Sequence, residues 1–111
     1  MTASRADIPP GTLDMLILRT VDHRGEAHGF EIAEAIQRAS TDVLQVEEGS
    51  LYPALQRLLI KGWLVDKWGR TAENRRARYY RITPAGRKQL ARELESYQRV
   101  THAIAAVLRP A

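Results

Sequence analysis

Few side chains in this sequence are of the types and spacing that catalysis or metal binding requires. The histidines His23, His28 and His102 share no metal-ligand spacing, and Ser50 lacks the glycine pattern of a nucleophile elbow. The chain contains no cysteine, which excludes disulfides, thiolate nucleophiles and Cys-ligated zinc. His28 is better explained as a polar residue at a helix start. We therefore expect no enzyme activity, no metal and no cofactor.

Basic residues are concentrated in one part of the chain. Residues 57–92 hold eleven lysines and arginines against two acidic residues, whereas residues 1–56 have a net charge of −5. A one-sided cluster of this density is typical of a face that binds a polyanion, because phosphate neutralisation and counterion release drive such binding. The alternative is a solvated surface that happens to be basic. Charge alone does not distinguish DNA from RNA.

The elements that must position these charges follow from hydrophobic periodicity and from helix start and stop signals. Apolar spacing predicts helices over residues 12–23 and 29–39, and a third helix that begins at residues 48–50, with Pro53 in its first turn, and is closed by Gly62. Two β-rich segments, 63–68 and 77–82, predict a hairpin with a long basic tip at residues 69–76. Thr83 and Pro84 then open a final helix to about residue 108. The fold class is mainly α with a small β-hairpin wing (α+β).

This order of elements is that of a winged helix-turn-helix, in which the third helix enters the major groove of DNA. A helical wheel places Leu51, Leu55, Leu58 and Leu59 on its core side. The residues predicted to contact DNA are Ser50, Tyr52, Pro53, Gln56 and Arg57, with Lys61 at the far end. Gln56 can pair with adenine, and Arg57 with guanine or a phosphate. Tyr52 can instead be a core aromatic.

The wing contributes a second group of predicted DNA contacts. These are Arg70, Arg75, Arg76 and Arg78, which would meet the phosphate backbone or a narrow minor groove; the alternative is solvated charge at a hairpin tip. Trp63, Trp68 and Tyr80 could be base-stacking platforms. Packing between the wing and the helices is the favoured interpretation, because strand alternation sends such residues inward.

The final helix carries an apolar stripe with the spacing of a helix that packs lengthwise against another. Its predicted dimer-interface residues are Leu90, Leu94, Tyr97, Thr101, Ile104 and Leu108. The sequence thus divides into a flexible arm (1–10), a winged helix-turn-helix (11–83) and a dimerisation helix (84–111). A homodimer on double-stranded DNA is the expected assembly.

Five segments resemble the PadR family of transcriptional regulators: residues 11–18 (GTLDMLIL), 28–32 (HGFEI), 46–55 (VEEGSLYPAL), 62–63 (GW) and 75–83 (RRARYYRIT). The resemblance implies a repressor that binds inverted-repeat operators as a dimer. Residues 1–12 lack the basic and apolar segments of a secretory signal, so the expected location is the cytoplasm. The sequence resembles the short subfamily, in which a single helix follows the wing. Some members respond to phenolic acids or flat aromatic compounds, and the resemblance implies a possible effector pocket at Tyr97 and Thr101 between subunits. The alternative is that Tyr97 only packs in the seam, with its hydroxyl in solvent.

Two other classes of protein remain open at this stage. One is a nucleic-acid-binding module without operator specificity, which would bind an operator and a scrambled duplex equally. The other is a protein-interaction adaptor whose final helix binds a partner, which predicts a monomer when purified. The sequence has no run of apolar residues long enough to cross a membrane, so no membrane partner is expected.

Overall fold

The computed structural model describes residues 8–9 and 11–110. Most of the predicted N-terminal arm, residues 1–7 and 10, lies outside the described residues. The elements are α1 (Leu13–Arg24), β1 (Ala27–His28), α2 (Gly29–Ala39), α3 (Glu48–Ile60), β2 (Leu64–Arg70), β3 (Arg76–Ile82) and α4 (Pro84–Leu108). Four helices and a small antiparallel sheet confirm the predicted fold class, mainly α with a β-hairpin wing.

Local signals in the sequence explain where the first helices begin and end. Gly25 terminates α1 with φ +80°, a conformation that glycine adopts without a Cβ penalty, and its N–H donates to the Val21 carbonyl at 2.8 Å. His28 caps α2 as predicted for a polar residue at a helix start. It forms a reciprocal capping box with Glu31, whose carboxylate accepts from the His28 N–H at 3.1 Å.

The sheet has one strand more than the sequence predicted. The short strand β1 pairs with β3, so the order is β1-β3-β2, and Ala27 lies opposite Tyr80. The hairpin strands are also longer at the tip than predicted, because Arg70 pairs with Arg76 and only residues 71–75 connect them. Asn74 (φ +63°) turns this connection in the left-handed region, which Asn tolerates better than most residues.

One hydrophobic core joins α1, α2, α3, the base of the wing and the start of α4. Its fully buried side chains of largest volume are Ile17, Leu18, Ile32, Leu51, Leu55, Leu58, Leu64 and Val21. Tyr80 and Ile82 extend this core onto β3, and Leu90 extends it onto α4. The core therefore fixes how the recognition helix α3, the wing and α4 are held together.

The junction between the wing and α4 is tightly built around Thr83. Its hydroxyl accepts from the Gly86 N–H at 3.0 Å, capping α4, and donates to the Gly62 carbonyl at 2.7 Å. Its own N–H donates to the Trp63 carbonyl at 3.0 Å. Pro84 occupies the first position of the helix, where a missing N–H costs nothing. α4 thus leaves the wing in a direction fixed by several backbone contacts.

Candidate nucleic-acid interface

The recognition helix α3 presents a polar face to solvent and an apolar face to the core. Leu51, Ala54, Leu55 and Leu58 are buried, and Leu59 is half-buried against the same core. The predicted contact residues on the other face are all exposed: Ser50, Tyr52, Pro53, Gln56, Arg57 and Lys61. The exposed face therefore carries the side chains that could reach base edges in a major groove.

The start of α3 differs from the prediction in one respect. The helix is capped at Glu47 and begins at Glu48, so Pro53 lies inside it rather than in its first turn. A proline at this position cannot donate to the carbonyl four residues earlier, that of Gly49. Gly49 is itself exposed and lies near the N-terminal end of α3.

The exposed face of α3 is flanked by two hollows. On one side, Ser50, Pro53 and Arg57 line a cleft of about 500 Å³ that also includes Ile8 and Pro9. On the other side, Tyr52 faces α2 and the wing. A Cβ added at Gly29 would lie 3.2 Å from the Tyr52 ring, so the ring packs on the α2 backbone while 51% of the residue stays exposed. Tyr52 is thus partly packed and partly free to make a contact.

Arg57 is already engaged within the chain. Its Nη2 donates to Asp14 Oδ1 at 2.9 Å, joining α3 to α1 across 43 positions of sequence. Half of the Arg57 side chain remains exposed. Lys61 lies with its Nζ 4.7 Å from the centre of the Trp63 ring, at the end of α3 away from its N-terminal turns. Gln56 has no side-chain hydrogen bond within the part of the chain that the structure describes.

The wing is braced on one face by Tyr79. Its hydroxyl donates to the Arg70 carbonyl at 3.0 Å, and its ring covers Gly69, where an added Cβ would lie 2.9 Å from the ring. The edge of the His28 ring meets the Tyr79 ring with 5.3 Å between centroids. Desolvation raises the pKa of the Tyr79 phenol above its ordinary value, and the Glu31 carboxylate adds to this shift.

The predicted core position of Trp68 is wrong. Tyr80 is buried and Trp63 packs against the core, but Trp68 is 55% exposed. Trp68 does lie on the same face of β2 as the buried Leu64, four residues earlier, as strand alternation requires. Trp68 lies nearer the wing tip than Leu64, beside Arg76 and Arg78, and is not packed into the core.

The four wing arginines are in different environments. Arg76 and Arg78 lie over the Trp68 ring, with guanidinium carbons 4.4 and 5.4 Å from its centre. Arg78 also pairs with Asp66 at 3.2 Å, and Arg70 donates to the Asn74 carbonyl at 3.2 Å. The guanidinium of Arg75 has no hydrogen bond or ion pair to any described residue. The wing tip therefore keeps three arginines, Arg70, Arg75 and Arg76, without a described carboxylate partner.

Ion pairs neutralise some of the basic segment but not its tip. Of the eleven basic residues in 57–92, four form ion pairs in the structure: Arg57 with Asp14, Lys67 with Glu26, Arg78 with Asp66, and Arg87 with Asp22. Three of these partners come from the acidic first half of the chain. The charge asymmetry of the sequence thus also holds the fold together, while the wing tip stays positive.

A groove of about 890 Å³ separates the wing from the start of α2 and from Tyr52 of α3. Its walls carry rings from five elements, including Phe30, which is 68% exposed and stacks on His28 at 6.5 Å. Arg75, Arg76 and Arg78 line the wing side, whereas Glu31 and Glu34 line the α2 side. The sequence analysis did not identify this groove, because it forms only when β1 pairs with β3.

The apolar stripe of α4 divides into a packed part and an exposed part. Leu90 is 3% exposed and belongs to the core of the chain itself, so its prediction as a dimer contact is corrected. Leu94 packs partly against the same core. Beyond it, the exposed large side chains on α4 are Tyr97, Val100, Ile104, Val107 and Leu108. Thr101 is half-buried, and its hydroxyl donates to the Tyr97 carbonyl at 2.8 Å.

The described residues contain no group of three or more histidine and acidic side chains that could hold a metal ion. No described helix is both long enough and apolar enough to span a membrane.

Three packed helices followed by an antiparallel hairpin define a winged helix-turn-helix protein. The family model of the transcriptional regulator PadR-like family matches residues 17–92. A solved transcriptional regulator from Clostridium thermocellum superposes with a TM-score of 0.80 at 28% identity, covering 89% of this chain and 95% of that one. A PadR family regulator from Eggerthella lenta gives a TM-score of 0.76 at 25% identity, covering 91% and 85%.

Two sequence relatives cover most of the chain, and one of them is named as a transcriptional regulator. An uncharacterised protein of Lysinibacillus sphaericus is 31% identical over 100 residues, which cover 90% of this chain and 91% of the relative. The transcriptional regulator Rv3488 of Mycobacterium tuberculosis is 33% identical over 79 residues, covering 71% and 70%. The chain belongs to the PadR-like family of transcriptional regulators. It is therefore a transcriptional regulator and not an enzyme.

Proposed function

We propose that this protein is a homodimeric repressor that binds an inverted-repeat operator in the cytoplasm, with α3 in the major groove and the wing on the flanking backbone. The observation that carries the proposal is the exposed polar face of α3, which lies beside a wing tip whose arginines lack carboxylate partners. A module that bound only phosphates would not need side chains as diverse as Tyr52, Gln56 and Arg57 on this helix.

Gln56 is the proposed base-reading residue. It is exposed in the third turn of α3, and a glutamine amide can pair with adenine through two hydrogen bonds. Two copies of α3 in a dimer would meet half-sites about one helical turn apart on the same face of the duplex. Repression follows if that operator overlaps a promoter.

The DNA upstream of the gene for this protein is first searched for an inverted repeat. A gel shift then compares the affinity of the protein for that fragment with its affinity for a scrambled duplex. Gln56→Ala is expected to cost about 1–3 kcal/mol at the cognate site and nothing at the scrambled duplex. Gln37→Ala, in α2, removes an amide away from α3 and is the control. Because the half-buried Gln37 amide donates to Asp42 at 3.2 Å, thermal melting must first show that this variant keeps the fold. The base-reading role fails if Gln56→Ala keeps the wild-type ratio of affinities. Equal binding of both duplexes by the wild type would instead indicate a non-specific nucleic-acid-binding module.

Wing contacts predict a different pattern. Arg75→Ala should weaken binding to both duplexes alike and reduce the slope of log affinity against log salt by about one, because one phosphate contact is lost. Arg19→Ala removes the same charge from an exposed position of α1 and should leave the slope unchanged. Equal slopes for the two variants would remove Arg75 from the DNA interface.

We assign the dimer interface to the exposed part of α4. An isolated chain would leave Tyr97, Val100, Ile104, Val107 and Leu108 in water, and such a stripe is stable when it packs on a second helix. Regulators of this family are typically dimers. Leu94 is a poor test position because its side chain also packs against the core of its own chain.

Ile104→Glu is the sharper test, since 52% of Ile104 is exposed and a charge there disturbs no described core contact. Light scattering should report a monomer, and operator affinity should collapse because the two half-sites are no longer bound together. His102→Glu places the same charge on the opposite side of α4 and should remain dimeric. A dimeric Ile104→Glu protein would move the interface elsewhere, whereas a monomeric wild type would favour the adaptor function.

The effector site is proposed at Tyr97 and Thr101, where two-fold symmetry would pair each residue with its copy. Such a slot would have aromatic walls and few polar groups, as small-molecule pockets do. Phenolic acids and other planar aromatics should bind the wild-type dimer and release operator DNA. Tyr97→Ala should abolish this release and Tyr97→Phe should retain it. Release that is unchanged in Tyr97→Ala would exclude this site.

A further inference from the structure

The exposed Trp68 ring lies beside two arginines of the wing, Arg76 and Arg78, and is not part of the core. It is opposite Arg78 in the β2–β3 register, and Arg76 lies two residues further along the same face of β3. Both guanidiniums are within the 6 Å at which a cation is attracted to an aromatic face. The attraction of both guanidiniums to one indole offsets part of the repulsion between them.

This arrangement leaves the arginines able to bind. Stacking uses the flat face of a guanidinium, whereas its five N–H donors lie in the plane and point outward from the edge. Arg76 has no ion pair with any described residue, so its donors are not committed to a carboxylate. Arg78 shares one edge with Asp66 at 3.2 Å. Arg76 therefore lies close to the Trp68 ring with donors that have no described carboxylate partner, and Arg78 lies beside the same ring with one edge on Asp66.

We propose that Trp68 is a positioning residue of the wing, which orients Arg76 and Arg78 for a DNA backbone by stacking beneath their guanidiniums. The inference rests on the proposed DNA-binding function. A long arginine side chain loses rotamer freedom when it binds a phosphate, and an arginine already stacked on Trp68 loses less. Trp68 raises affinity for any duplex in this way, without reading sequence.

The primary test is a double-mutant cycle measured on the cognate and scrambled duplexes. Trp68→Leu should weaken binding to both by about two- to fivefold, the range of an exposed cation–π contact. Trp68→Phe should recover most of this loss because it keeps an aromatic face. Once Arg76 and Arg78 are both alanine, Trp68→Leu should have no further effect, since its contribution passes through the two guanidiniums.

Val65→Leu is the matched control: Val65 lies on the same strand with a similar exposure, 52%, but on the opposite face. It should bind like the wild type. Circular dichroism and thermal melting check that each variant keeps the fold. An equal loss from Trp68→Leu with and without the arginines would overturn the proposal, because Trp68 would then contact DNA itself. So would an unchanged affinity in Trp68→Leu.

A second measurement needs no DNA. Nitrogen-15 relaxation of the arginine Nε–H groups should show Arg76 and Arg78 more ordered in the wild type than in Trp68→Leu, with Arg75 equally mobile in both. Identical order of Arg76 and Arg78 in the two proteins would overturn the positioning role. If the stack is present but the wild type binds neither duplex, the proposed DNA-binding function fails, and the role assigned to Trp68 fails with it.

Discussion

Replacing Gly86 with alanine should destabilise the protein, although alanine is the better helix former. Gly86 is the third residue of α4, and an added Cβ would overlap the Trp63 carbonyl oxygen and lie 2.8 Å from Ile82 Cγ1. The carbonyl cannot rotate away as a flexible side chain would, because it is backbone and accepts the Thr83 N–H. Either α4 or the wing must therefore move.

The size of the effect can be worked from this geometry. Overpacking costs about 1–3 kcal/mol, and a backbone obstacle places Gly86→Ala near the upper end. Loss of the Thr83 cap adds about 1 kcal/mol if the helix start shifts. Alanine returns about 1 kcal/mol of helix propensity. The net loss in the free energy of unfolding is about 2–3 kcal/mol.

Gly49→Ala provides a matched control of the opposite sign. Gly49 lies in α3, is exposed, and an added Cβ there meets nothing within 4 Å. The propensity gain should therefore stand alone and stabilise the protein by about 0.5–1 kcal/mol. Two chemically identical substitutions should thus differ by about 3 kcal/mol.

Urea unfolding followed by circular dichroism at 222 nm measures both variants. All samples need one protein concentration, because the stability of an oligomer depends on it. The slope of free energy against urea should stay unchanged, so that the midpoint reports stability. A Gly86→Ala protein as stable as the wild type would refute the described docking of α4 against the Trp63 carbonyl.

Three further predictions concern contacts around the interface. Asp14→Asn should cost at most about 1 kcal/mol of stability. It should raise affinity for every duplex, since it frees Arg57 and removes a negative charge. A loss of affinity at the operator alone would show instead that Asp14 orients Arg57 for base reading. Glu31→Ala should cost about 1 kcal/mol in urea unfolding by removing the His28 capping box, whereas Glu31→Gln should retain part of it. Burial raises the pKa of the Tyr80 phenol above its ordinary value of 10.0. The phenol therefore ionises first in the unfolded chain, and the free energy of unfolding falls as the pH rises past 10.0. Tyr80→Phe should reduce the loss of stability measured between about pH 8 and pH 11.

Much of the fold could be predicted because its signals are local. The predicted bounds of the second helix, 29–39, agree with α2, and those of the first and third helices differ by one or two residues. Helix caps, glycine stops and apolar spacing all act within a few residues of one another. The strand β1 was missed because two residues carry no periodicity, and Ala27–His28 becomes a strand only by pairing with β3, about fifty residues later.

The errors in the candidate site have a common physical origin. Periodicity shows which face a residue occupies but not how far the core extends along that face. Trp68 shares a face with Leu64 yet lies beyond the core, whereas Leu90 shares a stripe with Ile104 yet lies within it. The ion pair between Arg57 and Asp14 joins residues 43 positions apart, so no local pattern could predict it.

These long-range contacts give α1 a role that its own sequence does not suggest. Asp14 near its start pairs with Arg57 of α3, and Asp22 near its end pairs with Arg87 of α4 at 3.1 Å. In the proposed dimer, α4 joins the two subunits and α3 meets the DNA, so α1 connects the two. An effector that changed the angle between the α4 helices would alter the separation of the α3 helices through this connection. Arg87→Ala should then reduce the coupling free energy between effector binding and operator binding, while leaving each binding site itself intact. Titrating the effector in the presence and absence of operator DNA measures this coupling.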